Sequence, residues 1–360
     1  SLISVTREVS KELKSKLVKL SHPWNIRNIR LLLGDNMTRY ILKRIGMMIF
    51  VIFGVLLFIF VLLYLTPGDP ARQVLGLTAT DEQIEAQRHI MGLDQPFFKQ
   101  FGDYLYNLIF RFDMGTSYKT NLSVMDEIAK RVPVTLLIGS LGVLLSLLIG
   151  IPLGILSAVK QYSLVDNAAN VFAVIFTSMP SFWFALELSL IFAWRLKVLP
   201  ATGFEGFKSI ILPVVTLGLG GAAANFRMSR STVLDEIRKD YVRTARAKGT
   251  KESKVIMNHA VKNAMIPIIT QVGNGVGGIL GGAVVVENVF SIPGMGTYLL
   301  GAINARDYPI IRGGVLVICV FVSLCNLLTD IGSAYIDPRI KSYYKKMGGK
   351  SKKKETGEVA

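Results

Sequence analysis

The side chains that could carry out acid–base, metal or redox chemistry are few in this sequence and lie far apart. The three histidines lack the spacing of metal ligands, and the two cysteines, Cys319 and Cys325, lie in a single apolar stretch. The apolar stretches contain no paired carboxylates and no nucleophile beside a base. The sequence therefore predicts no catalytic residue and no metal site, and it indicates that the chain is not an enzyme.

The hydrophobic residues, 51% of the chain, are collected into long uninterrupted stretches. About 20 apolar residues suffice for a helix to cross a bilayer. In lipid each stretch must satisfy its own backbone groups, which a helix does. The sequence predicts an all-α integral membrane protein with six transmembrane helices. The stretches are 46–66, 133–159, 167–194, 210–226, 264–286 and 310–329.

The net charge of +16 is distributed unevenly along the chain. Most Lys and Arg residues lie in the N-terminal part, around Lys160, in segment 227–262 and in the C-terminal tail. The positive-inside rule places these parts, and both termini, in the cytoplasm. This asymmetry favours a membrane protein over a nucleic-acid-binding protein. The predicted organisation is a basic extension (1–36), a first transmembrane helix (37–66), an external segment (67–132), a five-helix core (133–335) and a basic cytoplasmic tail (336–360).

Ionisable side chains are almost absent from the interior of the apolar stretches, where Glu187 is the single example. Transporters coupled to protons or ions usually carry several such groups, because these bind the coupling ion. The energy for any transport is therefore expected to come from outside the membrane. Glu187 has two interpretations: it lines a polar pathway, or it reaches a neighbouring helix or the lipid headgroups.

The fifth stretch is rich in glycine. Four of these glycines form two overlapping pairs of small residues four positions apart, which let helices approach closely. One interpretation is ordinary packing within the chain, and the other is a seam with a partner subunit around a pathway. The four are Gly277, Gly278, Gly281 and Gly282.

Segment 231–267 is too long for a simple connection. Val233, Ile237, Tyr241 and Ala245 follow one another at intervals of four, which predicts one amphipathic helix. Gly249 is predicted to end that helix, because glycine readily adopts the left-handed conformation of a helix C-terminus.

A second helix is predicted to follow, with Thr250 as its N-terminal cap and Glu252 in its first turn, ending near Pro267. Periodicity leaves two functions open for the pair: a docking surface for a partner, or a helix pair lying on the headgroups. The residues predicted to face inward are Val255, Ile256, Ala260 and Ala264.

The order Arg243-Thr244-Ala245, three residues, then Gly249 resembles the EAA loop of binding-protein-dependent ABC importer permeases. In that family a short cytoplasmic helix of this loop sits in a groove of the ATPase subunit. Arg243 and Thr244 depart from the usual Glu and Ala, and Lys262 stands where a Leu-Pro pair begins in the general pattern.

These departures resemble one branch, the oligopeptide/dipeptide/nickel permeases, over residues 241–249 and 259–267. The resemblance implies that the EAA-type loop spans 227–263 and that His259 is a loop residue rather than a ligand. The ATPase-coupling residues implied are Tyr241, Arg243, Thr244, Ala245, Gly249, His259, Asn263 and Pro267.

Further motifs resemble the same branch, so that the resemblance covers residues 37–340. They include Pro67-Gly68-Asp69-Pro70, Gly115-Thr116-Ser117, Pro293-Gly294-Met295-Gly296 and Arg306-Asp307-Tyr308-Pro309. Residues 1–36 lie outside it. The candidate pathway or gate residues are Glu287, Phe290, Pro293, Gly294 and Glu187.

The resemblance implies a type I importer permease in a bacterial or archaeal inner membrane, moving peptides delivered by an extracytoplasmic binding protein. The implied partners are a homologous second permease, two cytosolic ATPases and the lipid bilayer. The chain has no phosphate-binding GxxxxGK[ST] motif, so ATP and Mg²⁺ are expected on partner subunits and no cofactor on this chain. The alternatives are a stand-alone secondary transporter or channel, or the same role with nickel or oligosaccharide as cargo.

Overall fold

Some helices of this chain begin at a residue whose side chain caps them, and others begin without such a cap. The computed structural model describes residues 26–76 and 78–336. The predicted extension 1–36 lies largely, and the tail 336–360 almost wholly, outside these residues. Helix α1 is Ile26–Leu65, and three short helices follow: α2 (Pro70–Leu75), α3 (Asp81–Ile90) and α4 (Phe97–Tyr106). Thr80 caps α3 reciprocally with Gln83.

Helices α5 to α8 form the centre of the bundle. Their bounds are α5 (Val124–Val159), α6 (Leu164–Ser178), α7 (Ser181–Leu188, continued by a wider turn over Ser189–Arg195) and α8 (Lys208–Ile237). Ser123 and Ser163 cap α5 and α6. Asp126 and Glu127 lie in the first turn of α5, where a carboxylate is favoured by the partial positive charge of the helix terminus.

The remaining helices are α9 (Asp240–Ala247), α10 (Glu252–Val255, with a wider turn over Ile256–Val261), α11 (Lys262–Val289), α12 (Met295–Ala305) and α13 (Tyr308–Ile336). Over the described residues the fold is therefore helical, with one isolated bridge between Thr116 and Ser123. Pro267 lies inside α11, so the prediction that a helix ends near this proline is wrong.

Within the part of the chain that the structure describes, four helical stretches are long and apolar enough to cross a membrane: Tyr40–Leu65, Val124–Val159, Lys208–Ile237 and Tyr308–Ser333. The third predicted stretch, 167–194, is not one straight helix, because α6 and α7 meet at an angle of 104°. Proline disfavours the helical conformation of the residue before it, and Met179, before Pro180, is extended. Counted as one span, the bent pair makes five. Helix α11 has 28 residues, some with side chains outside the described set, so the count of six stays a prediction.

The most extensive helix–helix seam among the described residues lies between α5 and α8. A Cβ atom on Gly150 would lie 2.5 Å from the Ala222 carbonyl oxygen, and one on Gly154 would lie 2.6 Å from the Ser229 Cβ. Only glycine allows this approach, which brings the two backbones into dispersion contact. Sequence reasoning singled out the glycines of the fifth stretch and missed this seam.

Segment 67–123 is held against the start of α13 by the buried carboxylate of Asp307. This carboxylate accepts hydrogen bonds from the Ser117 hydroxyl and from the backbone N–H groups of Tyr118 (3.2 Å) and Lys119 (3.3 Å). Two motifs separated by about 190 residues in sequence are therefore one structural unit. Gly68 adopts φ +114°, a conformation that other residues rarely adopt, and the Arg306 guanidinium packs against it.

We expect Gly154→Val to destabilise the protein by about 1–3 kcal/mol, because overpacking a tight contact forces helices apart. Gly220→Val is the matched control, since Gly220 lies on α8 with no atom within 4 Å of its Cβ position. Thermal unfolding of the purified variants in detergent measures the difference. Equal melting temperatures for the two variants would contradict the assigned seam.

Candidate functional site

The candidate loop is a short helix seated on its own chain. The inward side of α9 buries Val242 and Ala245 against Val255 and Ala260. These are small or β-branched side chains, which let the two short helices approach closely. The prediction that Val255, Ile256, Ala260 and Ala264 face inward is confirmed, because all four are buried.

The turn after α9 is made by Gly249 at φ +74°. Its N–H donates to the Arg246 carbonyl (2.9 Å), as expected where a left-handed residue closes a helix. A Cβ here would meet no atom within 4 Å, so glycine is needed for its backbone conformation and not for space. The predicted turn at Gly249 is confirmed.

An ion pair closes the turn. The Arg246 guanidinium donates to both Glu252 carboxylate oxygens, the shortest distance being 2.7 Å from Nη2 to Oε1. These hydrogen bonds hold the pKa of Glu252 below its usual value. Thr250 was predicted to cap the second helix, but the cap position is Lys251 and carries no side-chain hydrogen bond. That prediction is wrong, because Glu252 and Arg246 fix the turn instead.

A polar network ties α9 to the helices on either side. The Tyr241 hydroxyl donates to the Glu236 carboxylate at the end of α8 and accepts from the Asn263 amide at the start of α11 (3.1 Å). Asn263 also donates to the His259 carbonyl (2.9 Å). Burial and the hydrogen bond to Glu236 raise the pKa of Tyr241. The structure thus brings Tyr241, His259 and Asn263 together, His259 through its backbone.

The outward side of α9 is open. Asp240, Arg243, Thr244 and Ala247 are exposed, and Arg243 lies 3.7 Å from Asp240 without leaving solvent. The predicted residues therefore fall on two sides of the helix: Arg243 and Thr244 outward, Ala245 inward. Ala245 must be small because of contacts within the chain.

The predicted single helix over residues 233–245 is broken. Helix α8 ends at Ile237, and Lys239 is extended (φ −74°, ψ 151°) before α9 begins. Val233 is buried on α8, whereas Tyr241 is exposed on α9. The spacing of four residues between apolar side chains continues across this break by chance. The sequence pattern therefore predicted one helix where the structure has two.

A buried ion pair that sequence reasoning missed lies beside the loop. Asp166, at the start of α6, accepts from Arg230 on α8 through Nε (2.7 Å) and Nη2 (2.9 Å), and from the Ser157 hydroxyl at the end of α5. The Asp166 side chain is 2% exposed. It thereby joins three helices just before the loop. The available signal was one acidic and one basic residue at the edges of neighbouring apolar stretches.

Glu287, a candidate gate residue, is fully buried near the end of α11. Its carboxylate accepts from the Thr135 hydroxyl on α5 and from the backbone N–H groups of Gly296 (2.7 Å) and Thr297 (3.4 Å) at the start of α12. The Thr135 oxygen in turn accepts from the Met295 N–H (2.8 Å). Glu287 therefore joins α5, α11 and α12, and it meets the N-terminal N–H groups of α12, which favour an anion.

Two glycines after Glu287 have no room for a side chain. A Cβ on Gly294 would lie 2.3 Å from the Glu287 carboxyl carbon, and a Cβ on Gly296 would lie 2.4 Å from the Val284 Cα. Phe290 is buried, and its carbonyl accepts from the Gly203 N–H (2.9 Å). Pro293 and Gly294 line an open cavity of about 370 Å³. A role for these residues as a gate stays a prediction.

The second candidate carboxylate, Glu187, is half-buried on α7 and is not among the hydrogen-bond partners of Glu287. The predicted glycine pairs have two different environments. Gly277 packs against Val322 of α13 and Gly282 against Leu217 of α8, whereas Gly278 and Gly281 have no atom within 4 Å of their Cβ positions. One glycine of each pair therefore packs within the chain and the other has no neighbouring atom there, and the seam with a partner subunit stays a prediction.

Comparison with known proteins places the chain among membrane transport components. A model described as the binding-protein-dependent transport system inner membrane component matches residues 150–342, and the model of its N-terminal part matches residues 37–139. A dipeptide transport system permease protein of Alkalihalophilus pseudofirmus is 38% identical over 333 residues, covering 85% of this chain and 100% of the relative.

Two further relatives are similar. A dipeptide transport system permease protein of Escherichia coli K12 is 34% identical, and a glutathione transport system permease protein of Escherichia coli O6:H1 is 37% identical. Each alignment covers 85% of this chain and 99% of the relative. A solved inward-facing methionine ABC transporter matches with a TM-score of 0.50 at 18% identity, over 59% of this chain and 97% of that one. The structural match shows a shared fold.

We expect Glu287→Ala to destabilise the protein strongly, because the Thr135 hydroxyl and two buried N–H groups lose their acceptor, at about 1–3 kcal/mol each. Glu187→Ala removes the same carboxylate from a half-buried position and serves as the control. Thermal unfolding and limited proteolysis around residues 287–297 provide the readouts. If both variants unfold at the same temperature, the anchoring role of Glu287 is wrong.

Proposed function

The chain belongs to the family of binding-protein-dependent transport system inner membrane components, and on this premise we propose that it is the permease subunit of an ABC importer for peptides. It forms the translocation pathway together with a homologous second permease. ATP and Mg²⁺ bind to two separate cytosolic ATPase subunits, and an extracytoplasmic binding protein delivers the cargo.

The observation that carries the proposal is the two-sided character of α9. Its inward side is buried on the chain's own helices, while Asp240, Arg243, Thr244 and Ala247 remain exposed. A helix that served only to connect α8 with α11 would not need a closed ion pair and a tyrosine network to hold it. These contacts orient a rigid, charged surface toward a partner.

The mechanism follows from the connections of α9. Closure of the ATPases on ATP displaces α9, and the Tyr241 network transmits the displacement to α8 and α11, which frame the bundle. The Asp166–Arg230 ion pair links α5 and α6 to α8, so that these two helices follow the displacement of α8. A ligand drives such a change only through different contacts in the two states. Here those contacts belong to the ATPases, consistent with apolar stretches that hold almost no ionisable residues.

The second permease is proposed to pack on the open side of α11. Gly275, Gly278 and Gly281 lie at intervals of three along this helix, and none has a chain atom within 4 Å of its Cβ position. Glycines allow close approach of another helix. We propose α11 as the fifth of six spans, since its 28 residues exceed the roughly 20 that a bilayer requires.

The proposed orientation places both termini and α9 in the cytoplasm and segment 67–132 outside. The support is the concentration of Lys and Arg on the cytoplasmic side. The three relatives named above are permeases for dipeptides or glutathione, and these cargoes share amide bonds and free carboxylates. This common chemistry supports short peptides over nickel or oligosaccharide.

The test is co-purification of this chain with its partner permease and ATPases in detergent. We expect Arg243→Glu to release the ATPases, because it reverses a charge on the outward side of α9 without touching the buried contacts. Lys99→Glu is the matched control: it makes the same charge change on an exposed residue of α4.

Ala245→Glu separates docking from folding. It buries a charge against Val255 and Ala260, so we expect loss of ATPase binding together with rapid hydrogen exchange over residues 240–260. Arg243→Glu should lose binding with exchange unchanged. Retention of the ATPases by folded Arg243→Glu protein would contradict the docking surface.

A further inference from the structure

A cavity of about 430 Å³ lies between the 67–132 segment and the start of α13. It is larger and more polar than a gap between packed helices needs to be, and its volume is in the range of small-molecule sites. The candidate gate residues do not line it. Its polar lining includes Gln100, Asp103, Tyr104, Asp113, Tyr118 and Arg312.

Arg312 contributes a cation to this cavity without a counter-charge. Its guanidinium carbon lies 4.0 Å from the centre of the Phe60 ring and 5.9 Å from that of Tyr308. Its Nε atom is buried and makes no hydrogen bond. Among the residues that the structure describes, no carboxylate lies within ion-pair distance of it.

Two other partly buried arginines show how this chain holds a structural arginine. Arg131 stacks on Tyr298 at 3.9 Å and also pairs with Glu127 at 2.6 Å. Arg230 pairs with Asp166. Arg312 has the aromatic contact of Arg131 but not the carboxylate. Because a largely buried charge is normally paired with an opposite charge, the missing partner indicates a ligand.

The tyrosines around Arg312 do not supply the negative charge. Burial raises the pKa of Tyr104 to about 12 and raises the pKa of Tyr118, so both hydroxyls are neutral at physiological pH. The Tyr104 hydroxyl is itself buried without a hydrogen-bond partner. The cavity therefore presents a guanidinium and a phenol, both donors, with no acceptor assigned to them.

We propose that this cavity binds a carboxylate, held by the Arg312 guanidinium and the Tyr104 hydroxyl. A guanidinium and a carboxylate form paired, charge-assisted hydrogen bonds, which a neutral group does not match. The ligand class that fits is a short peptide bound through its C-terminal carboxylate. Asp103 and Asp113 are exposed members of the lining and are suited to meet the ammonium end.

Two molecules can supply the carboxylate that this cavity binds: a free peptide, or the docked binding protein through an acidic side chain. The choice between them rests on the proposed function, whereas the carboxylate site itself does not. ATPase co-purification tests the importer role, and carboxylate binding tests this site, so the two can fail separately.

The first measurement titrates dialanine, and dialanine with an amidated C-terminus, into the complete importer in lipid nanodiscs without binding protein. We expect the amide to bind at least tenfold more weakly than dialanine to the unmodified protein. Arg312→Gln should weaken the binding of dialanine at least tenfold, and Tyr104→Phe should weaken it severalfold. Arg312→Lys should weaken it less than Arg312→Gln does.

Arg111→Gln is the matched control, because Arg111 is exposed, stacks on Tyr106 at 5.7 Å and does not line the cavity. The comparison of dialanine with its amide needs no variant, so a misfolded Arg312→Gln protein does not remove the test.

The second measurement is docking of the binding protein to the same complexes. One outcome is that dialanine does not bind, that the binding protein docks tenfold more weakly to Arg312→Gln than to Arg111→Gln, and that Arg312→Lys largely restores docking. This outcome assigns the carboxylate to the binding protein. Equal binding of dialanine and its amide, together with docking that Arg312→Gln leaves unchanged, would overturn the proposal.

Discussion

The structure depends on the cost of leaving a buried carboxylate unsatisfied in a molecule surrounded by lipid. Among the described residues, three carboxylates are at most 2% exposed, and each accepts three or more hydrogen bonds, at least one of them from an element distant in sequence. Asp166 joins α5, α6 and α8; Glu287 joins α5, α11 and α12; Asp307 joins the 117–119 turn to the start of α13. Each stands at the end of a helix, where unpaired backbone groups or loop N–H groups are available.

This arrangement leaves the middle of the helices to apolar and small residues. Gly150 and Gly154 let α5 and α8 touch along their backbones, which makes the two helices one closely packed pair. Helix α8 is 30 residues long and runs from residue 208 to the loop before α9, a length of about 45 Å. In the proposed mechanism, a displacement of α9 is carried across the bundle by rigid helices, and the carboxylate junctions determine which neighbours follow.

The sequence was informative where the signal is local. The apolar stretches, the glycine turn at Gly249 and the inward residues of the second loop helix follow from composition, backbone preference and periodicity. It was misleading at Lys239, where an interval of four continued across an extended residue, and at Pro267, which α11 accommodates. The break at Pro180 had a local signal that the apolar composition outweighed. The pairs Asp166–Arg230 and Glu287–Thr135 join residues 64 and 152 positions apart, and no local pattern identifies such partners.

The central claim is that the outward side of α9 is the surface through which ATPase subunits act on this chain. Site-specific photo-crosslinking tests it most directly, with a photoreactive residue placed at Thr244, which is exposed, or at Val242, which is buried on the same helix. The account predicts an adduct with the ATPase from position 244, and an adduct within the chain or none from position 242. An intact complex in which position 244 yields no ATPase adduct would contradict the account.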